Sequence, residues 1–309
     1  VTDTTGGYVV NALYVKGDYS SNVAISTISN TDHDGFGVSG DSSGDYAEIG
    51  YNNTTKQSEE LIVSFGEYNS NGDFVYQTVA NAAVSFAWKH QVSWGETAVV
   101  EFYRNGMKIS VQTYYGGSDG VDAPINMRVL DATGALLAFD QIRFSALGYG
   151  DDYLIHSITY QEAEADTSGK VTNYLYDVDL SASLTDTDGS EALTVQISGV
   201  PSGATFTATN IVDLGNGIWQ LSVPSGSTSV NTSFEMKVPS TTNQDFSLKV
   251  VATSTETNDS STATSDILFI NDNDTIDLTS FSTNNSYKNV TDVVDMTNTK
   301  ANIMNINMS

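Results

Sequence analysis

Tyr174-Leu175-Tyr176-Asp177-Val178-Asp179-Leu180-Ser181-Ala182-Ser183-Leu184 is the stretch that decides the fold. Tyr174, Tyr176, Val178, Leu180, Ala182 and Leu184 share one parity, and Asn173, Asp177, Asp179, Ser181 and Ser183 share the other. A period of two places successive side chains on opposite faces of a strand, so this segment predicts a strand with one face in a core. The same alternation continues through Leu193, Val195 and Ile197, then Trp219, Leu221 and Val223 after Asn216-Gly217. It returns at Phe234, Met236 and Val238, at Phe246, Leu248 and Val250, and at Ile267 and Phe269. Short strands separated by turn signals predict an antiparallel β-sandwich of immunoglobulin-like size over residues 167–274.

Upstream the alternation persists. Val84, Phe86 and Trp88 alternate with Ser85 and Ala87, and Val100 and Phe102 lead into Arg104-Asn105-Gly106-Met107. Asn-Gly between alternating runs predicts a tight hairpin, since both residues tolerate positive φ. A second hairpin is expected around Asp131-Ala132-Thr133-Gly134. The apolar parity then shifts from Leu137 and Phe139 to Ile142 and Phe144, which predicts a β-bulge near Asp140. Residues 1–166 therefore form a first sandwich, with Glu162-Ala163-Glu164-Ala165-Asp166-Thr167-Ser168-Gly169 as an acidic linker to the next. Residues 275–309 hold too few apolar side chains for a core of their own. They are expected to pack on a neighbour or to open a further module. The fold class is all-β: two antiparallel sandwiches with a short C-terminal extension.

Charge sets the chemistry. Among 309 residues, 12 Lys+Arg stand against 38 Asp+Glu, a net charge of -26. That balance argues against nucleic acid and against anionic lipid, both of which call for a basic face. No apolar run approaches the roughly 18 residues of a membrane span. Cysteine is absent and the three histidines are scattered, which excludes disulfides and thiolate sites and speaks against zinc. The chain has no initiator Met and no signal peptide and reads as a processed fragment. Its carboxylates repel one another unless a cation intervenes, and calcium, which takes oxygen ligands, is the expected cofactor.

Several loops carry the oxygen donors. Asp186-Thr187-Asp188-Gly189-Ser190-Glu191 gathers three acids around a glycine turn, as a calcium loop requires, although the full EF-hand pattern is missing. Asn271-Asp272-Asn273-Asp274, with Glu162, Glu164 and Asp166, offers ligands at domain junctions. In both places the alternative is an ordinary solvated turn or linker. In the first domain, Tyr114-Tyr115-Gly116-Gly117-Ser118-Asp119-Gly120-Val121-Asp122 combines glycines, acids and two tyrosines. Asp119 and Asp122 are the expected calcium ligands there, Tyr114 and Tyr115 a contact wall, and Gly116 and Gly117 points of close backbone approach to a ligand. Gly148-Tyr149-Gly150-Asp151-Asp152-Tyr153 and Asp32-His33-Asp34-Gly35 repeat that chemistry, and at least two of these loops are expected to share a site. His33 reads as a solvated loop residue, and His90 and His156 as packed strand residues. Trp88 shares the parity of the core, whereas Trp94, beside Gly95, is open to a surface role. There is no G-x-S-x-G, Walker A or HExxH pattern, and acids are too abundant for any pair to signal a glycosidase.

Two regions resemble modules of RTX adhesins, the large bacterial surface proteins exported by type I secretion. Leu184-Thr185-Asp186-Thr187-Asp188-Gly189-Ser190-Glu191-Ala192-Leu193, continued by Ile197-Ser198-Gly199-Val200-Pro201-Ser202-Gly203-Ala204, resembles the opening of their cadherin- or immunoglobulin-like modules and covers residues 170–274. Ser58-Glu59-Glu60-Leu61-Ile62-Val63-Ser64-Phe65, Phe102-Tyr103-Arg104-Asn105-Gly106, Phe139-Asp140-Gln141-Ile142-Arg143-Phe144 and above all Gly150-Asp151-Asp152-Tyr153-Leu154-Ile155-His156-Ser157-Ile158 are similar to the calcium-dependent peptide-binding domains of marine bacterial adhesins. The resemblance implies a secreted, cell-surface protein active in adhesion and biofilm formation. It implies a ligand that is a peptide with a free C-terminal carboxylate, captured with calcium. The tail is similar to the connector preceding RTX repeats, but the Gly-Asp nonapeptides themselves are absent. A calcium-using carbohydrate-binding module and a ligand-free structural extender are the alternatives; an enzyme is not expected.

Overall fold

The computed structural model describes residues 8–23, 25–28, 35–39, 48–88, 95–116, 120–184, 191–242, 245–256, 259–269 and 302–307. The described residues are all-β: 67% of them lie in strands, and the only helical element among them is a single 3-10 turn at Tyr19–Ser21. It divides into two compact units, the first ending at Val171 and the second beginning at Thr172.

The strands of the first unit are β1 (Tyr8–Leu13), β2 (Asn22–Val23), β3 (Ile25–Ile28), β4 (Gly35–Val38), β5 (Ile49–Asn52), β6 (Gln57–Ser58), β7 (Glu60–Tyr68), β8 (Phe74–Tyr76), β9 (Val79–Trp88), β10 (Thr97–Arg104), β11 (Met107–Tyr115), β12 (Gly120–Val121), β13 (Ile125–Leu130), β14 (Leu136–Leu137), β15 (Gln141–Ala146) and β16 (Asp152–Ala165). One sheet runs β11-β10-β15-β7-β1-β2, with β8 paired to β7. The other runs β14-β13-β9-β16; β12 pairs with β9, and β4 and β5 pair with β16. The core lies between them. Phe86, Trp88, Phe102, Phe144 and Tyr153 are fully buried. Phe86 packs at 5.2 Å on Trp88, 5.6 Å on Tyr153 and 6.3 Å on Phe144, so aromatic rings from both sheets interdigitate. Burying each such side chain stabilises the fold by roughly 1.5–3 kcal/mol, enough in sum to hold sheets that carry many half-buried polar groups.

Both expected hairpins of this unit form. Asn105 and Gly106 take φ of 51° and 73° between the paired residues Arg104 and Met107, a geometry that tolerates few other side chains. In the second, Asp131 Oδ1 accepts hydrogen bonds from Thr133 N at 2.8 Å and Ala135 N at 2.9 Å, closing the turn between β13 and β14.

Two expectations are corrected. The parity shift after Phe139 is not a bulge but a change of sheet. Phe139 exchanges backbone hydrogen bonds with Val79 in one sheet, and the next residue, Asp140, donates to Tyr103 O and accepts from Phe65 N in the other. Crossing between the sheets turns the chain over, so Phe139 and Ile142 both reach the core despite their opposite parity. The acidic linker is likewise mostly strand: Glu162–Ala165 complete β16, with Ala163 buried. Only Asp166–Gly169 turns. Asp166 Oδ1 accepts from Ser168 N at 2.8 Å, Ser168 Oγ at 2.6 Å and Lys170 N at 3.1 Å, and Gly169 sits at φ 89°.

The second unit contains β17 (Val171–Ser183), β18 (Ala192–Ser198), β19 (Thr205–Phe206), β20 (Ile211–Gly215), β21 (Ile218–Leu221), β22 (Ser229–Pro239), β23 (Phe246–Glu256), β24 (Asp259–Phe269) and β25 (Asn302–Asn307). One sheet orders β17-β22-β19, with β25 lying parallel to β17; the other orders β20-β21-β18-β23-β24. Tyr174, Tyr176, Val178, Leu180 and Ala182 are buried as the alternation predicts, and their odd-numbered neighbours are half-buried. Phe206 meets Trp219 at 4.9 Å and Phe234 at 5.3 Å edge-on, joining the inner faces. Asn216 and Gly217, at φ 56° and 72°, turn between β20 and β21.

Candidate ligand-binding end of the first unit

Strand pairing brings the described ends of several strands to one end of the first sandwich. Trp88, the last residue of β9, pairs with Gly120 on one side and with Tyr153 on the other. Tyr153 pairs in turn with Ile49, and Asp152 with Gly50. On the facing sheet, Thr97 pairs with Tyr115, and Ala98 with Ala146. Ile49, Trp88, Tyr115 and Asp152 therefore lie at the same end of the sandwich.

Four hydrogen bonds tie this end together. Trp88 Nε1 donates to Asp122 Oδ2. Thr97 N donates to Asp151 Oδ1 at 2.9 Å, while Gly148 N donates to Asp151 Oδ2 at 2.7 Å. Gly116 N donates to Glu96 O at 2.9 Å. Burial pushes the Asp151 carboxyl up; the two amide donors oppose that shift and neighbouring Asp152 adds to it. Glu48, Glu59 and Glu96 are buried in the same region, and Glu59 Oε2 accepts from Gly50 N at 3.0 Å.

The predicted site residues separate in this geometry. Tyr114 is half-buried and packs inward. It packs against Phe86 at 5.9 Å, its hydroxyl donates to Gln112 Oε1, and burial pushes its phenol up to about 12. Tyr115, one residue on and therefore on the opposite face, is 70% exposed. Gly116 is needed for packing: a Cβ there would lie 2.8 Å from Trp88 Cδ2, and its N–H is already engaged by Glu96. Asp122 is half-buried and anchored to Trp88; Asp151 clamps the 148–151 turn to β10. Asp152 is half-buried at the start of β16. Gly117 and Asp119 lie outside the described residues, as do Asp32, His33, His90 and Trp94.

In the second unit Glu191 is half-buried just before β18, while Asp186, Asp188, Asp272 and Asp274 lie outside the described residues. Among the described residues no group of three or more His, Asp or Glu side chains is arranged to hold a metal ion. Trp88 is core, as its parity indicates, and His156 lines a small apolar cavity of about 80 Å³ between the sheets.

Two further features emerge. The first is an exposed apolar rim at the acidic end: Tyr115, Val121, Leu147 and Tyr149, the last 74% exposed. Leu147 N donates to Thr97 O, and Tyr115 pairs with the same residue, so these side chains emerge from neighbouring backbone. The second is a basic groove on the outer face of the β10-β15-β7 sheet, lined by Lys16, Lys56, Lys108 and Arg143. In a chain with so few cations, each Lys or Arg is more informative than any acid, and that was the signal available.

Comparison with known proteins finds no matching family model, no matching curated protein and no matching solved structure.

Proposed function

We propose that the first unit is a non-catalytic, calcium-dependent ligand-binding module of a bacterial surface adhesin, and that its ligand is a peptide with a free C-terminal carboxylate. The observation that carries this reading is a set of half-buried acids, Asp122, Asp151 and Asp152, near an exposed aromatic rim. Tyr115 and Tyr149 stand beside Asp151, Asp152 and Asp122 at a single end of a rigid sandwich. Loops on such a scaffold are free to carry binding function, and exposed apolar side chains gathered in one place mark contact surfaces. A peptide carboxylate approaching this end meets like charge, so a bridging calcium with open coordination positions is the natural mediator. Asp119 completes the donor set together with Asp122 and Asp152. Asp151, with an amide on each oxygen, orients the loop. The second unit acts as a spacer whose own acidic turn, Asp186, Asp188 and Glu191, is stiffened by calcium, with Asp272 and Asp274 serving the same end beyond it. The module works at the cell surface as part of a larger secreted chain.

The test is titration calorimetry with matched free-acid and amidated peptides, in calcium and in chelator. Binding of the free acid alone, and only with calcium, is the expected result. Equal affinity for both peptide forms rejects the carboxylate mechanism. Calcium-dependent binding of neutral monosaccharides with no peptide binding replaces it with a lectin; silence on both makes the chain an extender.

A further inference from the structure

The acidic end is one of two chemically distinct surfaces on the first unit. The other is a groove of about 590 Å³ on the outer face of the β10-β15-β7 sheet. Lys16, Lys56, Lys108 and Arg143 line it, four of the chain's 12 basic residues, against two acids, Glu60 and Glu101. In a protein of net charge -26, a local excess of cations is costly to ignore as chance scatter, because the same side chains would relieve repulsion better if dispersed among the carboxylates.

The register explains the arrangement. Glu101 of β10 lies opposite Arg143 of β15, and Tyr103 lies opposite Gln141. Lys16 Nζ donates to Glu101 Oε1 at 3.0 Å and to Ser145 Oγ at 2.9 Å; Lys108 Nζ reaches the same carboxylate oxygen at 3.3 Å, and Tyr103 OH donates to Glu101 Oε2 at 3.0 Å. Glu101 is therefore engaged by three donors. Arg143 is held differently. Its guanidinium lies 3.9 Å from the Tyr103 ring centroid and 5.4 Å from that of Tyr19, and its Nε donates to Gln141 Oε1 at 2.7 Å. Among the described residues no acceptor engages its two terminal nitrogens. A planar fork fixed by aromatic stacking and by its inner nitrogen, with the outer edge open, is pre-organised for bidentate capture of an oxyanion.

The kind of occupant follows from the floor of the groove. β10, β15 and β7 are interior strands whose backbone groups are engaged on both sides. An extended peptide laid here finds no strand edge to pair with and leaves its own amides unsatisfied. What the groove offers is side chains: cations, the hydroxyl of Ser145, the amide of Gln57 and the phenols of Tyr51 and Tyr103. Hydroxyl-rich ligands that carry their own charge suit that set, and the volume accommodates far more than a lone anion. We propose that this groove is a metal-independent binding site for carboxylated saccharides, uronate-containing oligosaccharides in particular, with Arg143 gripping the carboxylate and Lys108 and Lys56 at the rim.

The experiment is titration calorimetry of the full chain with oligogalacturonate and with its methyl ester, each in calcium and in chelator, and at two salt concentrations. The acid form binds, the ester does not, chelation leaves the affinity unchanged, and raised salt weakens it. Arg143→Gln lowers the affinity by about tenfold or more, and Lys108→Gln, a half-exposed partner of Glu101, lowers it with only a small change in the melting curve. The native protein's preference for acid over ester stands as a test even if Arg143→Gln disturbs packing on Tyr103. Absence of binding at millimolar oligogalacturonate, equal affinity for the ester, loss of binding in chelator, or tighter binding of a poly-glutamate peptide overturns the proposal.

Discussion

Trp88 Nε1 donates its hydrogen bond to Asp122 Oδ2, so the largest fully buried side chain of the first unit is pinned by an acid from a surface loop. Asp122 is bound there twice more by its backbone, donating from N to Phe86 O at 2.9 Å and accepting at O from Ser85 Oγ at 2.5 Å. A residue that reads as a calcium ligand is thus also a strut beneath the site. Asp122→Ala removes the acceptor and leaves a buried indole N–H without a partner, a cost of about 1–3 kcal/mol. Asp122→Asn keeps an oxygen for the indole and costs less. Denaturant titration followed by tryptophan fluorescence separates the two variants; equal stability of Asp122→Ala and the native chain would remove the strut role.

Gly116 answers to the same indole. A methyl group at this position meets the Trp88 ring at 2.8 Å, with Cε3 at 3.0 Å, and a fully buried ring cannot give way cheaply. Gly116→Ala is expected to destabilise the first unit by about 1–3 kcal/mol and to broaden the near-ultraviolet tryptophan signal. An unchanged unfolding midpoint would show that the loop, rather than the ring, moves.

Acid and base act in opposite senses on two neighbouring carboxyls. Burial raises Glu60 above its ordinary value of 4.5, against the lowering effects of Gly17 N–H, Arg143 and Lys16. The folded chain holds this proton more tightly than the unfolded one, so the stability contributed by Glu60 is present below the unfolded pKa and is lost as pH rises through the folded one. For Glu101, burial also pushes upward, but Lys16, Tyr103 and Lys108 together draw the carboxyl below its ordinary value. Its contribution is present above the unfolded pKa and is lost as pH falls through the lowered folded value. Glu60→Gln, which keeps an oxygen for Gly17 N, is therefore expected to gain on the native chain as pH rises from 4.5 into the neutral range. Lys16→Met is expected to lose by about 1 kcal/mol near neutral pH and to converge with the native chain in acid. Parallel stability profiles from pH 3 to 8 would contradict both.

Calcium should stabilise the chain if the acidic loops bind it. At about 100 times its dissociation constant each site adds about 2.7 kcal/mol by mass action. A higher thermal midpoint in millimolar calcium, reversed by chelator, is the expected outcome. Asp188→Ala is expected to reduce that rise in the second unit while ligand binding by the first persists. Identical melting curves with calcium and with chelator would remove the cofactor from the proposal.

The all-β class, the strand Val171–Ser183 and the turns at Asn105-Gly106, Asp131–Gly134 and Asn216-Gly217 were legible from the sequence because each rests on local physics. A period of two declares which side chains enter a core, and a positive φ selects its residues wherever the chain goes. Parity also separated Trp88, as core, from the surface. What parity could not reveal is which sheet a strand joins. The shift at Asp140 has one signature whether the chain bulges or crosses to the facing sheet, and only the partners of Phe139 and Asp140 distinguish them. The same holds for the site. Tyr114 and Tyr115 are chemically alike in the sequence; the pairing of β11 with β10 sends one against Phe86 and the other into solvent. Gly116 and Asp122 acquire their roles from an indole 28 and 34 positions away. Arg143 becomes a poised fork because Tyr103 and Gln141 stand beside it across and along the strands. Composition and periodicity determined what each segment could form. Long-range register, whose free energy comes from burying side chains remote in the chain, decided which of these residues face one another.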